Sequence, residues 1–218
     1  TALYYRLINE GVKKRLGGLH SAKIALVSVD FHEVEELQVN NDWVAAGEML
    51  AEAGRQVQAA GADFLVICTN TMHKTSDEIE RHVSIPLLHI ADATAMVIKK
   101  RGIERVALLG TKYTMEEDFY KGRLVADYGL DVVIPPEDGR TIVNRVIYEE
   151  LCLGKVEEES RNQFQQIIHD FNTGGVEGVI LGCTEISLLI NQEDSPLPLF
   201  DTTAIHAQAA VDFALEDG

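Results

Sequence analysis

Two short stretches of this chain end in residues that could do chemistry, and they are near-copies of each other. The first runs Gly61-Ala62-Asp63-Phe64-Leu65-Val66-Ile67-Cys68-Thr69-Asn70-Thr71, the second Gly175-Val176-Glu177-Gly178-Val179-Ile180-Leu181-Gly182-Cys183-Thr184-Glu185. Superposed, Cys68 falls on Gly182 and Thr69 on Cys183. An apolar run ending in small polar residues is a buried strand that presents chemistry at its carboxyl end. Two such ends in a duplicated chain can face each other across a cleft and place a reactive group on each side of a substrate.

Cys183 is the leading candidate. It closes a buried strand and is followed by Thr184 and Glu185, so amides opening the next helix are expected to favour its thiolate. Thr69 is its counterpart, and Asn70 and Thr71 supply short hydrogen-bonding groups suited to a carboxylate. His73 could orient a group, carry a proton or bond only locally. Glu185, beside Cys183, could position a substrate amine or steer a proton. Strand alternation turns Cys68 away from Thr69, as a packed thiol. Cys152, among leucines of an expected helix, His89 and His206 read as structural. Asp92 and Asp201 read as helix caps.

These residues need elements to hold them. Helices are expected over Ala2–Leu16, Asp42–Ala60, Thr75–His82, Asp92–Arg101, Met115–Tyr128, Arg140–Leu153, Val156–Asn172 and from Thr203 onward. Strands are expected over Lys23–Asp30, Asp63–Cys68, Pro86–Ile90, Arg105–Gly110, Asp131–Ile134, Val176–Gly182 and Leu197–Phe200. This alternation predicts an α/β fold of two similar doubly wound parallel-sheet domains related by pseudo-twofold symmetry, with the active site in the cleft between them. Residues 1–101 plus 202–218 would form one domain and 102–201 the other. The second half opens on a strand and a Gly-Thr turn. The first half opens directly on a helix, so a strand and a glycine loop are expected before Thr1.

With 218 residues, 46% of them hydrophobic, the chain can bury a large core. A formal charge of −16 and no basic patch argue against nucleic acid and against an anionic membrane. An anionic substrate would need local donors to oppose that field. Three widely spaced cysteines without a Cys-x-x-Cys pair suggest a reducing, cytoplasmic setting. No Gly-x-Gly-x-x-Gly or Walker loop supports a nucleotide cofactor. His32 with Glu33, Glu35 and Glu36 reads as a solvated connection more readily than as a metal site.

The pair Thr69-Asn70-Thr71-Met72-His73 and Gly182-Cys183-Thr184-Glu185 resembles the aspartate/glutamate racemase family. The first segment is similar to that family's Cys-Asn-Thr-x-His, the second to its Gly-Cys-Thr-Glu. Tyr4-Tyr5-Arg6-Leu7-Ile8-Asn9 resembles the family's first helix, which follows a strand and a Gly-Gly loop. The resemblance implies two α/β domains, no cofactor (neither PLP nor metal) and a homodimer. It also implies a two-base mechanism in which one thiolate removes the Cα proton and a second thiol protonates the opposite face.

At one position the pattern changes: Thr69 stands where the first catalytic cysteine is expected. Cys68 is one residue away, and a one-residue slip turns a side chain to the other face of a strand. A threonine hydroxyl is too weak an acid to serve as a standing base, so an asymmetric site follows, with Cys183 as base and Thr69 as donor or relay. By the resemblance, Cys183 would act on an L-amino acid, with aspartate and glutamate the leading substrates. Asn70, Thr71, Thr184 and Glu185 would bind the substrate. A related cysteine-dependent isomerase or decarboxylase of a small dicarboxylate, and a non-catalytic amino-acid-binding homologue, are the alternatives.

Overall fold

The computed structural model describes residues 1–216, and every strand pairing in it is parallel. Two compact units divide the chain. One comprises Thr1–Cys68, Met72–His89 and the chain from Ala207, whose last two residues lie outside the described ones; the other comprises Thr69–Thr71 and Ile90–His206. Residues 69–71, 90–101 and 202–206, placed with the first half by sequence, thus group with the second.

In the first unit, α1 covers Ala2–Leu16, and Lys13, Lys14 and Arg15 in its last turn oppose the negative end of the helix dipole. Arg15 pairs with Asp212 at 2.6 Å. The expected strand Lys23–Asp30 does not form. A strand needs a ladder partner, and among the described residues this β-prone run has none, so it stays irregular. Helix α2 (Phe31–Val39) follows where a loop was expected. Asp30 caps it by accepting from the His32 amide, and His32 and Glu36 sit 3.5 Å apart on its exposed face. The acidic run is therefore a helix surface. No group of three or more His, Cys, Asp or Glu side chains could hold a metal among the described residues.

Helix α3 (Trp43–Ala59) is capped by Asp42. Strands β1 (Leu65–Val66) and β2 (Leu87–Leu88) are shorter than expected, and between them lie a 3-10 turn, Thr71–Thr75, and α4 (Ser76–His82). Val34, Ala46 and Met72 form this unit's core cluster, flanked by Trp43, Leu50 and Ile67.

The second unit is built on a four-stranded sheet in the order β4-β3-β5-β6, with β3 Arg105–Gly110, β4 Asp131–Val133, β5 Gly178–Gly182 and β6 Leu199–Asp201. Helix α5 (Ile90–Lys100) precedes β3; α6 (Lys112–Glu116) and α7 (Asp118–Tyr128) follow it. Glu117, in extended conformation, divides what the sequence reading makes one helix, Met115–Tyr128. Helices α8 (Glu137–Glu149) and α9 (Glu158–Thr173) precede β5, α10 (Ile186–Leu189) follows it, and α11 is Thr202–Leu215.

A continuous apolar strand hides two alternating faces. On β3, Val106 and Leu108 pack in a cluster with Ile98 of α5 and Leu124 of α7. Ala107 and Leu109 join Val146 of α8 and Phe164 of α9. On β5, Ile180 joins the first cluster, while Val179 and Leu181 join the second. Cys183 continues the odd-numbered face and packs at the edge of the α8–α9 cluster. Its direction therefore follows from the sheet's period of two. Asp92, expected as a cap, lies in the first turn of α5 and holds Arg123 of α7 through paired bonds of 2.6 and 2.7 Å. Asp201 does cap: its Oδ1 accepts from the amides of Thr203 and Ala204 at 2.9 and 3.1 Å.

Candidate active site

Strand order sets the location. After β3 the chain leaves toward β4, and after β5 it leaves the opposite way toward β6. The connections diverge beyond the carboxyl ends of these adjacent strands, which is where open parallel sheets bind ligands. Gly110 pairs with Gly182 in the β3–β5 ladder, so Thr111 and Cys183 leave neighbouring strands side by side.

That approach requires both glycines. A Cβ on Gly110 would stand 2.8 Å from the Gly182 carbonyl oxygen, and one on Gly182 would stand 2.9 Å from the Leu109 carbonyl oxygen. At both positions a backbone oxygen obstructs, joined at Gly182 by the Leu108 side chain at 2.9 Å, so the strands themselves would have to part. Gly182→Ala is expected to cost roughly 1–3 kcal/mol, as other overpacked core sites do, and to shift Cys183. A urea midpoint equal to that of the unmodified protein would refute this.

The segment Thr69–Thr71 joins the second unit here. The Asn70 Nδ2 donates to Thr202 Oγ1 at 3.0 Å, and the Thr202 hydroxyl donates to the Leu181 carbonyl at 2.8 Å. Thr202 has one hydroxyl proton, already committed to Leu181, so it can only accept from Asn70. The amide's orientation is fixed, and Asn70 Oδ1 is left buried without a hydrogen-bond partner. Its open valence is an acceptor, which suits an ammonium better than the carboxylate expected from sequence. Thr203 Oγ1 is likewise buried and unpartnered.

Thr71 ends in a cluster of three hydroxyls. It lies 2.9 Å from Thr111 Oγ1 and 3.4 Å from Thr114 Oγ1, and these two lie 3.2 Å apart. Thr111 also caps α6, accepting from the Thr114 amide. Thr111, Thr114 and Thr202, which the sequence reading did not name, stand against the Asn70–Thr71 segment, and Thr203 follows Thr202. The Gly110-Thr111 turn was visible; what was missing was the knowledge that β3 pairs with β5, which sets it beside Gly182-Cys183.

Cys183 is half-buried, and its Sγ donates to Glu185 Oε2 at 3.1 Å. Its thiol pKa is raised well above the ordinary value, first by burial and then by the Glu185 carboxylate. This reverses the expectation of a helix-stabilised thiolate. Helix α10 is only four residues long, and its contribution is smaller than desolvation beside an anion. Thr184 is half-buried between Cys183 and Glu185, and its carbonyl accepts from Ser187 Oγ at 3.1 Å. Thr69 is half-buried too.

Cys68, expected as a packed thiol, is half-buried just beyond β1: burial pushes its pKa up to about 11, and its Sγ sits 4.0 Å from the Val66 carbonyl oxygen. Cys152 differs from expectation. It lies in a 3-10 turn, Leu151–Leu153, and is exposed, while Leu151 anchors that turn in the core cluster that Cys183 adjoins. His73 and His89 are buried in the first unit with ring centroids 4.5 Å apart, edge to face. His206 is fully buried in the second.

Known proteins resemble this chain in sequence and fold. Residues 1–210 match the Asp/Glu/Hydantoin racemase family model. A candidate Asp/Glu racemase of Yersinia pestis is 56% identical, with a TM-score of 0.91 over 97% of this chain and 92% of that one. An aspartate racemase homologue from Pyrococcus horikoshii is 33% identical, with a TM-score of 0.82 over 98% of this chain and 93% of that one. The broad specificity amino-acid racemase RacX of Bacillus subtilis is 23% identical over 72% of this chain; the match spans 66% of RacX, just under two thirds of its length. With the family model matched along nearly the whole sequence and two solved relatives more than 30% identical, the chain belongs to the Asp/Glu/hydantoin racemase family.

Proposed function

We propose that the protein is a cofactor-independent racemase of acidic amino acids, L-aspartate or L-glutamate, with an asymmetric catalytic pair. Cys183 removes the Cα proton of the L-enantiomer, and Thr69 passes a proton to the opposite face. The observation that carries the reading is the Cys183 thiol, bonded to Glu185 where the β3 and β5 connections diverge. Asn70 Oδ1, buried and unpartnered, is suited to the substrate ammonium. The Thr71 and Thr184 hydroxyls and the second N–H of Asn70 are assigned to the carboxylate.

An amino-acid Cα proton is very weakly acidic, so the developing enediolate needs preorganised donors. General acid–base help supplies about 10²–10⁴-fold, and electrostatic preorganisation must provide the rest. Turning the Thr71 hydroxyl toward substrate breaks one bond of the three-hydroxyl cluster, while Thr111 and Thr114 remain within reach of each other at 3.2 Å. The two enantiomers have equal free energy, so kcat/KM must be the same in both directions. The asymmetry can appear only in kcat and KM separately.

The test is incubation with L- and D-aspartate and L- and D-glutamate in D₂O, following Cα exchange by proton NMR and inversion by chiral chromatography. Exchange with inversion is expected. Thr69→Cys should raise kcat/KM equally from the L and D sides, because a thiol is a far stronger acid than a hydroxyl. Exchange without inversion would show that Thr69 does not deliver the second proton. Loss of carbon would indicate a decarboxylase, and binding without exchange a binding homologue.

A further inference from the structure

A thiol that starts out protonated must lose its proton before it can act as a base. That proton needs an acceptor within the site. The nearest acceptor is Glu185 Oε2, already receiving the S–H bond at 3.1 Å. A thiolate and a carboxylate at that separation repel, so the pair favours keeping one proton between them.

The surroundings reinforce this. Glu185 acts on the half-buried Cys183 and also on the exposed Cys152, raising both thiols, and Cys152 acts on Cys183 in turn. All three groups can carry only negative charge, so at rest the cluster holds its thiol protons and both sulfurs stay unreactive.

We propose that Glu185 is the proton acceptor for Cys183: when an amino acid occupies the site, the S–H bond breaks, an O–H bond forms at Glu185 Oε2, and the electron pair stays on sulfur. The proposal rests on the racemase reading. One negative charge moves from carboxylate to sulfur, and the pair's net charge is unchanged. An incoming ammonium favours the transfer by stabilising the sulfur anion. Glu185 then remains a neutral acid while Cys183 takes the Cα proton. Acting through Cys183, Glu185 is a positioning residue, and this role replaces its expected contact with the substrate amine.

The full chain would be studied by infrared difference spectroscopy with and without L-aspartate, beside racemisation assays. Binding should remove the S–H stretch and produce a protonated-carboxyl stretch that shifts in Glu185→Asp and is missing in Glu185→Gln. The Gln variant should lose about 10²-fold or more in kcat. Its Cys183 should be alkylated by iodoacetamide faster at pH 7, about tenfold for each unit by which the thiol pKa falls. Opposite changes in catalysis and thiol reactivity are not expected of a residue that only supports the fold, and Glu185→Asp should recover part of kcat. If the Gln variant does not fold, the wild-type band alone decides. Racemisation by wild type without that band, or a Gln variant within threefold of wild-type kcat, would overturn the proposal. A wild type that exchanges no Cα proton of either amino acid would defeat the racemase reading first, and the proposal with it.

Discussion

Cys183→Ser is expected to remove Cα proton exchange from L-aspartate and L-glutamate, lowering the rate by at least the ~10²–10⁴-fold that a positioned base supplies. The substitution keeps the side chain's shape, so the cluster of Val179, Leu181 and Phe164 beside it should persist. What changes is acidity, because a serine hydroxyl yields its proton far less readily than a thiol. In the unmodified protein the raised thiol makes the reactive thiolate a minor species at neutral pH. Because Glu185 takes up the thiol proton within the site, the pair keeps its single proton and exchange should vary little between pH 7 and pH 9. Stability should depend on pH instead. The folded pKa lies above the unfolded one, so the contribution is fully present below the unfolded value and is lost as pH rises through the folded one. Cys183→Ser should thus lessen the loss of stability above pH 9. Exchange within tenfold of wild type in Cys183→Ser would move the base elsewhere, with Cys68 the next thiol to test.

The core strands of the second unit were legible because β3 and β5 are buried on both faces and read as unbroken apolar runs. Helix α1 was legible from its basic last turn and the glycine pair that ends it. The split between α6 and α7 was not, since Glu117 adopts extended backbone with neither proline nor glycine to mark it. Lys23–Asp30 has a strand's composition, but pairing is a property of neighbours, which a local pattern does not contain. Helix α2 carries a readable sign, since Asp30 three residues before Glu33 opens helices, but the acids that follow give the stretch the composition of a solvated loop. At the site, Cys183, Thr69 and Asn70 could be found from the internal repeat. The sign of the Cys183 shift could not, because it depends first on burial and then on a carboxylate two residues away folding back to 3.1 Å.

Asn70→Asp tests the other half of the site, and its effect on stability should be large and dependent on pH. Asn70 is 2% exposed, and its amide donates to a threonine whose only hydroxyl proton belongs to Leu181. An aspartate carboxylate there would meet an acceptor where a donor is needed. Either the two oxygens face each other, or Thr202 turns to the carboxylate and abandons the Leu181 carbonyl at the end of β5. Each case orphans a buried acceptor, and the first also leaves a buried charge unpaired, so the cost is on the order of 3 kcal/mol near neutral pH. Protonation would repair the network, since a carboxylic acid can donate to Thr202 as the amide does. Burial raises the pKa of such an aspartate above its unfolded value, so the lost stability should return as pH falls through the folded pKa. Urea midpoints of the variant and the unmodified protein should therefore converge between pH 8 and pH 5. Asn70→Ala, which brings no titrating group, should show a deficit that does not vary with pH in this way. Exchange should fall by about 10²-fold or more at pH 8, because a second carboxylate would oppose the substrate's own. A pH-independent deficit in Asn70→Asp would mean that the position is wet. The buried Oδ1 could then no longer serve as the anchor for the substrate ammonium.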